Sequence, residues 1–346
     1  MTPPPAVRAA TLLLIVLLGS AATAVAAMVC SLIGQYYTPW PVWGDDALRV
    51  WQWPIWFDAV WQMRIVRLAT AGTVGAGLAA AGMALQGMLR NPLAEPYILG
   101  ISSGAGVGVL LGPLVAASVG LGAWATTPVL ALTGALLTCA VVYGVAQRRG
   151  RLDPYVLLLS GVIISVFNSA VTLTVMQFAD PTKLLYFIGW GMGKINYGVD
   201  RTLLVVCVGC VAVGWLVLLA RGSAFNALGL GDEVAASSGV PIHYLRLETF
   251  VVVGLMTAAA VALAGPIGFV GLIIPHVCRL MWGSDHRRLV LVCGFVGASA
   301  MMIADTLARS AGPLVGLADI PVGIITAMAG GPFFIALLRR RFREKA

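Results

Sequence analysis

Few residues in this chain carry groups able to do chemistry, and their spacings argue against catalysis. Gly100-Ile-Ser-Ser-Gly104 matches the G-x-S-x-G pattern of a nucleophilic serine. That pattern works on a strand-to-helix turn with a histidine and an acid in reach. Ser102 instead sits in an apolar run with glycine at 100, 104, 108 and 112, which is a helix-packing spacing. His243, His276 and His286 are the 3 histidines, and none has a metal-ligand spacing. Cys207-x-x-Cys210 has the spacing of a metal or redox pair, yet no second pair and no histidine lies near it in sequence. The 6 cysteines all fall in or beside apolar runs, so they read as small buried hydrophobes with no disulfide framework. No G-x-x-x-x-G-K-S/T occurs, since Gly193-Lys194 is followed by Ile195, so the chain is not expected to hydrolyse ATP. No catalytic residue and no metal site is expected.

The remaining polar groups gain meaning from the elements that hold them. Charged residues make up 10% of the chain and AVILMFWYC residues 60%, with a mean hydropathy of +0.94. Soluble domains are roughly 25% charged and 45–50% apolar. The sequence therefore specifies an all-α polytopic membrane protein. A span needs about 20 mostly apolar residues. Apolar runs between polar breaks give about ten: Ala9–Ile33, Ile65–Met88, Ala94–Val115, Thr127–Ala146, Tyr155–Phe178, Leu203–Ala220, Tyr244–Leu263, Pro266–Met281, Leu289–Arg309 and Pro321–Leu338. The eighth is short. All belong to a single domain, 1–346, without a long soluble insert.

Lys and Arg concentrate on the cytoplasmic side of span ends. With the N-terminus inside, the inner connections hold Arg8, Arg90, Arg148, Arg149, Arg151, Arg221, Arg246, Arg279, Arg287, Arg288 and the tail cations. The outer side keeps Arg49, Arg64, Arg67, Lys183, Lys194, Arg201 and Arg309. Both termini are thus expected in the cytoplasm. The net charge of +8 reads as topology plus attraction to anionic membrane lipid, not as nucleic-acid binding, because the arginines are scattered over many loops. The first run, though preceded by Arg8 and carrying Ala24-Val25-Ala26, is long enough to be a retained helix rather than a cleaved signal. The outer connection 34–62 carries Trp40, Trp43, Trp51, Trp53, Trp56 and Trp61, an expected interfacial belt. In the connection 179–200, a short helix around Tyr186 should line an outer vestibule.

Polar groups within spans are costly and hence functional candidates. Gln86, Ser102, Ser103, Asn168 and Asp305 are the notable ones. Asp305 and Arg309 are four apart and share a helix face, so a local pair is expected. Arg64 and Arg67 share a face at the outer end of the second span. The three arginines could dock an acidic partner. Glycine and alanine stripes (72, 75, 76, 79 and 80 on the second span; 100 to 112 on the third) predict tightly packed helices. In the inner connection 221–243, Asp232 is expected to cap a short helix, Gly239 to end it and Pro241 to forbid its continuation. Two short helices there suit a docking element for another protein.

Several blocks resemble the FecCD-type permeases, the subunits of ATP-driven importers for iron chelates, haem and cobalamin. They are Arg64-Ile-Val-Arg67, Gln86 through Gly106 with Asn91-Pro-Leu-Ala-Glu-Pro96, Leu228-Gly-Leu-Gly-Asp-Glu-Val-Ala235, and Ala264-Gly-Pro-Ile-Gly-Phe-Val-Gly-Leu-Ile-Ile-Pro-His276. Asp285-His-Arg287, Ala304-Asp-Thr-Leu-Ala-Arg309, Ile320-Pro-Val-Gly323 and Gly331-Pro-Phe-Phe334 follow in family order. The resemblance implies a type II ABC importer permease fold and a homodimer with the path between subunits. It implies two cytoplasmic ABC ATPase subunits that bind ATP and Mg, a periplasmic substrate-binding protein, and no cofactor on this chain. Its location would be the bacterial inner membrane. Leu228, Gly229, Leu230, Gly231, Asp232, Glu233, Ala235 and Gly239 match the coupling helices that seat in the ATPase. Arg64, Arg67 and Arg309 match arginines that meet the binding protein. Asn91 and Leu93, with Pro154 and Tyr155, match the cytoplasmic gate. An iron chelate (siderophore or haem) is the expected cargo, with cobalamin as the alternative and an ion-coupled secondary transporter as the reading from a different class.

Overall fold

The computed structural model describes residues 9–33, 55–120, 123–148, 151–179, 181–312 and 319–343. The tryptophan-rich connection falls largely outside them. The described residues form α1 (Ala9–Leu32), α2 (Ile55–Leu89), a 3-10 turn (Pro96–Leu99), α3 (Ile101–Val119), α4 (Ala123–Ala146) and α5 (Pro154–Met176). The chain continues through α6 (Pro181–Gly191), α7 (Arg201–Ala220), α8 (Gly222–Gly229), α9 (Asp232–Ser237), α10 (Ile242–Ala264), α11 (Val270–Trp282), α12 (His286–Ala311) and α13 (Val322–Arg343). Two-residue strands, β1 (Gln147–Arg148) and β2 (Arg151–Leu152), close the α4–α5 connection as a hairpin. Among the described residues, seven helices are long and apolar enough to cross a bilayer, and three shorter apolar ones lie in α3, α11 and α13. Together they correspond to the ten apolar runs of the sequence.

Lipid removes the hydrophobic drive between helices, so close backbone approach decides the packing. α2 is the axis: its span is 83% buried, against 0% for that of α1. It owes this to its small residues. A Cβ added at Gly75 would lie 2.1 Å from the Gly297 carbonyl of α12. At Gly82 it would lie 1.9 Å from the carbonyl of Gly271 on α11. On α3, the stripe at 104, 108 and 112 meets Thr138, Leu130 and Thr127 of α4 in the same way. Asn168 of α5 adds polar adhesion, donating to Ser103 Oγ at 3.1 Å and Thr138 Oγ1 at 3.2 Å. The 6 cysteines are free thiols, and five of them are buried.

Three boundaries differ from the sequence reading. α2 begins at Ile55, ten residues before the apolar run. The third span starts at Ile101, because Pro92 and Pro96 keep residues 91–100 out of the α-helix. The eighth starts at Val270, since Gly265 and Phe269 both take positive φ and Pro266 lies between them. α10 reaches the outer end, where the Lys194 amide bonds to the Ala264 carbonyl. Yet Gly271 lies beside Gly82, about 10 Å of helix rise from the inner end of α2. The five residues 265–269 therefore descend into the bundle as irregular chain. α11 is a half-helix whose N-terminus lies at membrane depth.

Candidate functional site

At the inner, arginine-rich end, α8 and α9 form the short helical pair expected from the sequence. Phe225 and Leu228 are fully buried and anchor α8, whereas Leu230 is 67% exposed and projects outward. Gly239 has φ 79°, and its amide bonds to Ala236 O while that of Val240 bonds to Ala235 O. That pair of bonds is a Schellman stop, which glycine fits without steric cost. Asp232 departs from its expected place. It is the first residue of α9 rather than its cap, which is Gly231 at φ 124°. Its carboxylate turns away from the helix and bridges two arginines, with Arg90 Nη2 at 2.9 Å and Arg246 Nη2 at 2.8 Å.

Arg90 ends α2 just before the expected gate. Its amide bonds to Gly87 O and that of Asn91 to Gln86 O, the same Schellman geometry. Here the left-handed position (φ 49°) holds an arginine, which costs roughly 1 kcal/mol relative to glycine. Asn91 then accepts the Leu93 amide on its side-chain Oδ1 at 3.0 Å, fixing the turn that follows α2. Gln86 ties that turn to the bundle, donating to Ala94 O and Gly271 O. Pro154 and Tyr155, the other segment expected at the gate, stand at the start of α5. Asp153 caps that helix through the amides of Tyr155 and Val156, and Tyr155 is 86% exposed.

Two residues outside the membrane-depth break, which the sequence reading did not single out, hold it in place. Tyr97 Oη accepts the Ile267 amide at 2.8 Å, and the Glu95 carboxylate accepts the Phe269 amide. Irregular backbone at this depth persists only where the protein satisfies its polar groups, and these two side chains do so. Glu95 also stands at the N-terminus of α11, where the helix dipole favours an anion. The signal available in the sequence was a Glu-Pro pair inside a nominal span, since a carboxylate there needs a reason.

At the outer end the arginines converge, but not as expected. Asp305 does not pair with Arg309. It holds Arg67 in a bidentate ion pair, with Nε and Nη2 each 2.8 Å from a carboxylate oxygen. Arg67 also lies 3.5 Å from Asp319 and stacks on the Tyr197 ring at 4.1 Å. The planar guanidinium suits this arrangement of carboxylates and a ring face. Arg309 instead donates to Cys30 O at 2.6 Å, and Arg64 to Ser31 O at 2.8 Å, so both close the last carbonyls of α1. A cation at a helix C-terminus meets the negative end of the dipole. All three arginines are buried, with 8%, 2% and 4% of Arg64, Arg67 and Arg309 exposed. Beside them, α6 lines a cavity of about 330 Å³ that also touches Tyr186, Trp190, Lys194 and Asp200.

An irregular buried break, an inner helical pair tied to a turn, and a cationic outer end describe a transport bundle, and the comparisons with known proteins agree. Residues 7–340 match the FecCD transport family. The vitamin B12 import system permease protein BtuC of Citrobacter koseri is 37% identical over 293 residues, 83% of this chain and 86% of its own. An uncharacterised ABC transporter permease, YvrB of Bacillus subtilis, is 34% identical over 292 residues, 84% and 81% of the two chains. A solved inward-facing conformation of a protein assigned to the metal-chelate type of ABC transporter superposes with a TM-score of 0.77. It is 30% identical and covers 95% of this chain and 99% of its own. The chain thus belongs to the FecCD transport family and is a multi-pass ABC importer permease with the type II fold.

Proposed function

We propose that this permease carries a bulky metal chelate inward across the bacterial inner membrane by alternating access, as a homodimer. Two ABC ATPase subunits would drive it, binding ATP and Mg on their side of the interface, and a periplasmic binding protein would deliver the cargo. Catalysis is left to the ATPase. The observation that carries this reading is the placement of α8–α9: the pair projects at the inner end and is ion-paired, through Asp232, to the turn that holds Asn91. A docking element joined directly to a gate is what a motor outside the membrane requires. An ion-coupled carrier would need free carboxylates as a relay, whereas Asp305 is committed to Arg67 and Glu95 to the Phe269 amide.

Docking of the binding protein at the outer end belongs to the same proposal. Arg64, Arg67, Arg309 and Lys194 gather at that end, and such a concentration of cations suits an acidic partner. For the cargo, the likeness to a vitamin B12 permease supports a corrinoid, and the likeness to a metal-chelate type transporter supports the broader class that includes iron chelates. Uptake into vesicles containing the permease and its ATPase tests both. ATP-dependent accumulation of cobalamin, haem or a siderophore from the loaded binding protein is expected. Uphill uptake in vesicles without the ATPase would overturn the reading.

A further inference from the structure

We propose that Arg90 is the positioning residue that transmits motion of the coupling pair α8–α9 to the cytoplasmic gate. The inference rests on the importer reading above and names the part through which its motor acts.

Arg90 sits on a strained backbone, at φ 49°. Two Schellman stops face this end of the bundle, one at Gly239 and one at Arg90. Glycine occupies the first, as the left-handed geometry favours. At the second an arginine holds the same geometry, and strain of this kind persists where the side chain is needed. Arg90 spends its guanidinium on Asp232, the first residue of α9. That pair is about half exposed on both sides, so it adds little to stability. Its value lies in what it joins. Asp232 is also held by Arg246, the fifth residue of α10, which fixes the carboxylate on the coupling side. Arg90 is bonded covalently to Asn91, whose side chain shapes the gate turn. A displacement of α9 thus reaches Asn91 through one ion pair and one residue of backbone. A second tie between α8 and α2 is packing, with Phe225 against the Gly87 position, and it contains no part of Arg90.

Arg90→Gly separates transmission from folding, because glycine relieves the strain while cutting the link. The complex with its ATPase, in vesicles supplied with the loaded binding protein, is read for cargo taken up per ATP hydrolysed. Arg90→Gly is expected to keep the thermal midpoint and the ATPase association of the wild type. Its uptake per ATP should fall by about tenfold, within the range for residues that couple two sites. Arg90→Lys should recover most of it. A wild-type ratio in Arg90→Gly, a loss that lysine fails to restore, or a loss explained by failed ATPase binding would each overturn the assignment. Those results leave the importer reading standing. A wild-type complex in which uptake ignores ATP would instead remove that reading and the transmission role together.

Discussion

Arg67 and Asp305 form a two-pronged ion pair between α2 and α12, both contacts 2.8 Å long, with side chains only 3% and 2% exposed. The two residues are 238 positions apart, so the pair locks the outer halves of two distant spans. Its burial means that each charge depends on the other. Breaking such a pair by removing one partner typically costs about 3–5 kcal/mol, whereas replacing both with apolar residues is often neutral. Asp305→Ala and Arg67→Ala should therefore each lower the midpoint of denaturant unfolding in detergent strongly. The double variant Arg67→Met with Asp305→Leu should recover most of the loss. Equal destabilisation of the double and single variants would show that the pair contributes attraction rather than mutual compensation.

That burial changes how docking must be probed. Reversing Arg64 and Arg67 to glutamate would strand buried charges and unfold the outer end before reporting on any partner. Lys194 and Arg201 are better placed, being more exposed at the same end. If an acidic binding protein docks there, each exposed pair is worth on the order of 0.5 kcal/mol, so reversing both should weaken association roughly fivefold. The effect should shrink as salt is raised through the screening range. Titration of the loaded binding protein at low and high salt checks both points.

The glycine stripes make a separate prediction about packing. At Gly75 and Gly82 an added methyl meets neighbouring backbone carbonyls at 2.1 Å and 1.9 Å, and a carbonyl cannot rotate aside. Gly75→Ala or Gly82→Ala should force α2 away from α12 or α11, at about 1–3 kcal/mol. Gly144 and Gly209 are helical glycines with open space around them. Alanine there should be neutral or stabilising, by up to about 1 kcal/mol. Thermal unfolding of the four variants in one detergent compares them directly.

These glycines mark what the sequence could and could not show. Spans and small-residue stripes were legible because both follow from local composition, and Gly239 followed from local turn chemistry. The partner of Asp305 was not. An i, i+4 neighbour is the default on a straight helix, but Arg67 approaches from another span, and α1 offers Arg309 the Cys30 carbonyl instead. The break at 265–269 was hidden for a similar reason: Ile267 and Phe269 are as apolar as a span requires, and only tertiary contact with Glu95 and Tyr97 makes a non-helical path affordable. Asp232 left its cap position because two arginines, 142 and 14 residues away in the chain, outweigh one backbone amide.

The break itself supports the last prediction. Glu95 serves the Phe269 amide as an acceptor, and Phe269 holds φ 68°, a conformation that an aromatic residue adopts only under constraint. The Phe269 ring in turn fills the space at Gly330 of α13, where an added Cβ would lie 2.1 Å from it. Glu95 thus anchors one end of a chain of contacts from the turn after α2 to α13. Glutamine keeps an acceptor oxygen at this position, and alanine leaves the amide unpaired at a cost of about 1–3 kcal/mol. Glu95→Gln should retain most ATP-dependent uptake, while Glu95→Ala should lose both thermal stability and uptake. If acceptance of the hydrogen bond is the whole role, uptake by Glu95→Gln will stay flat across the pH range where the wild type is active. A Glu95→Gln protein as inactive as Glu95→Ala would mean that the negative charge at the α11 N-terminus, not the hydrogen bond, is what the half-helix needs.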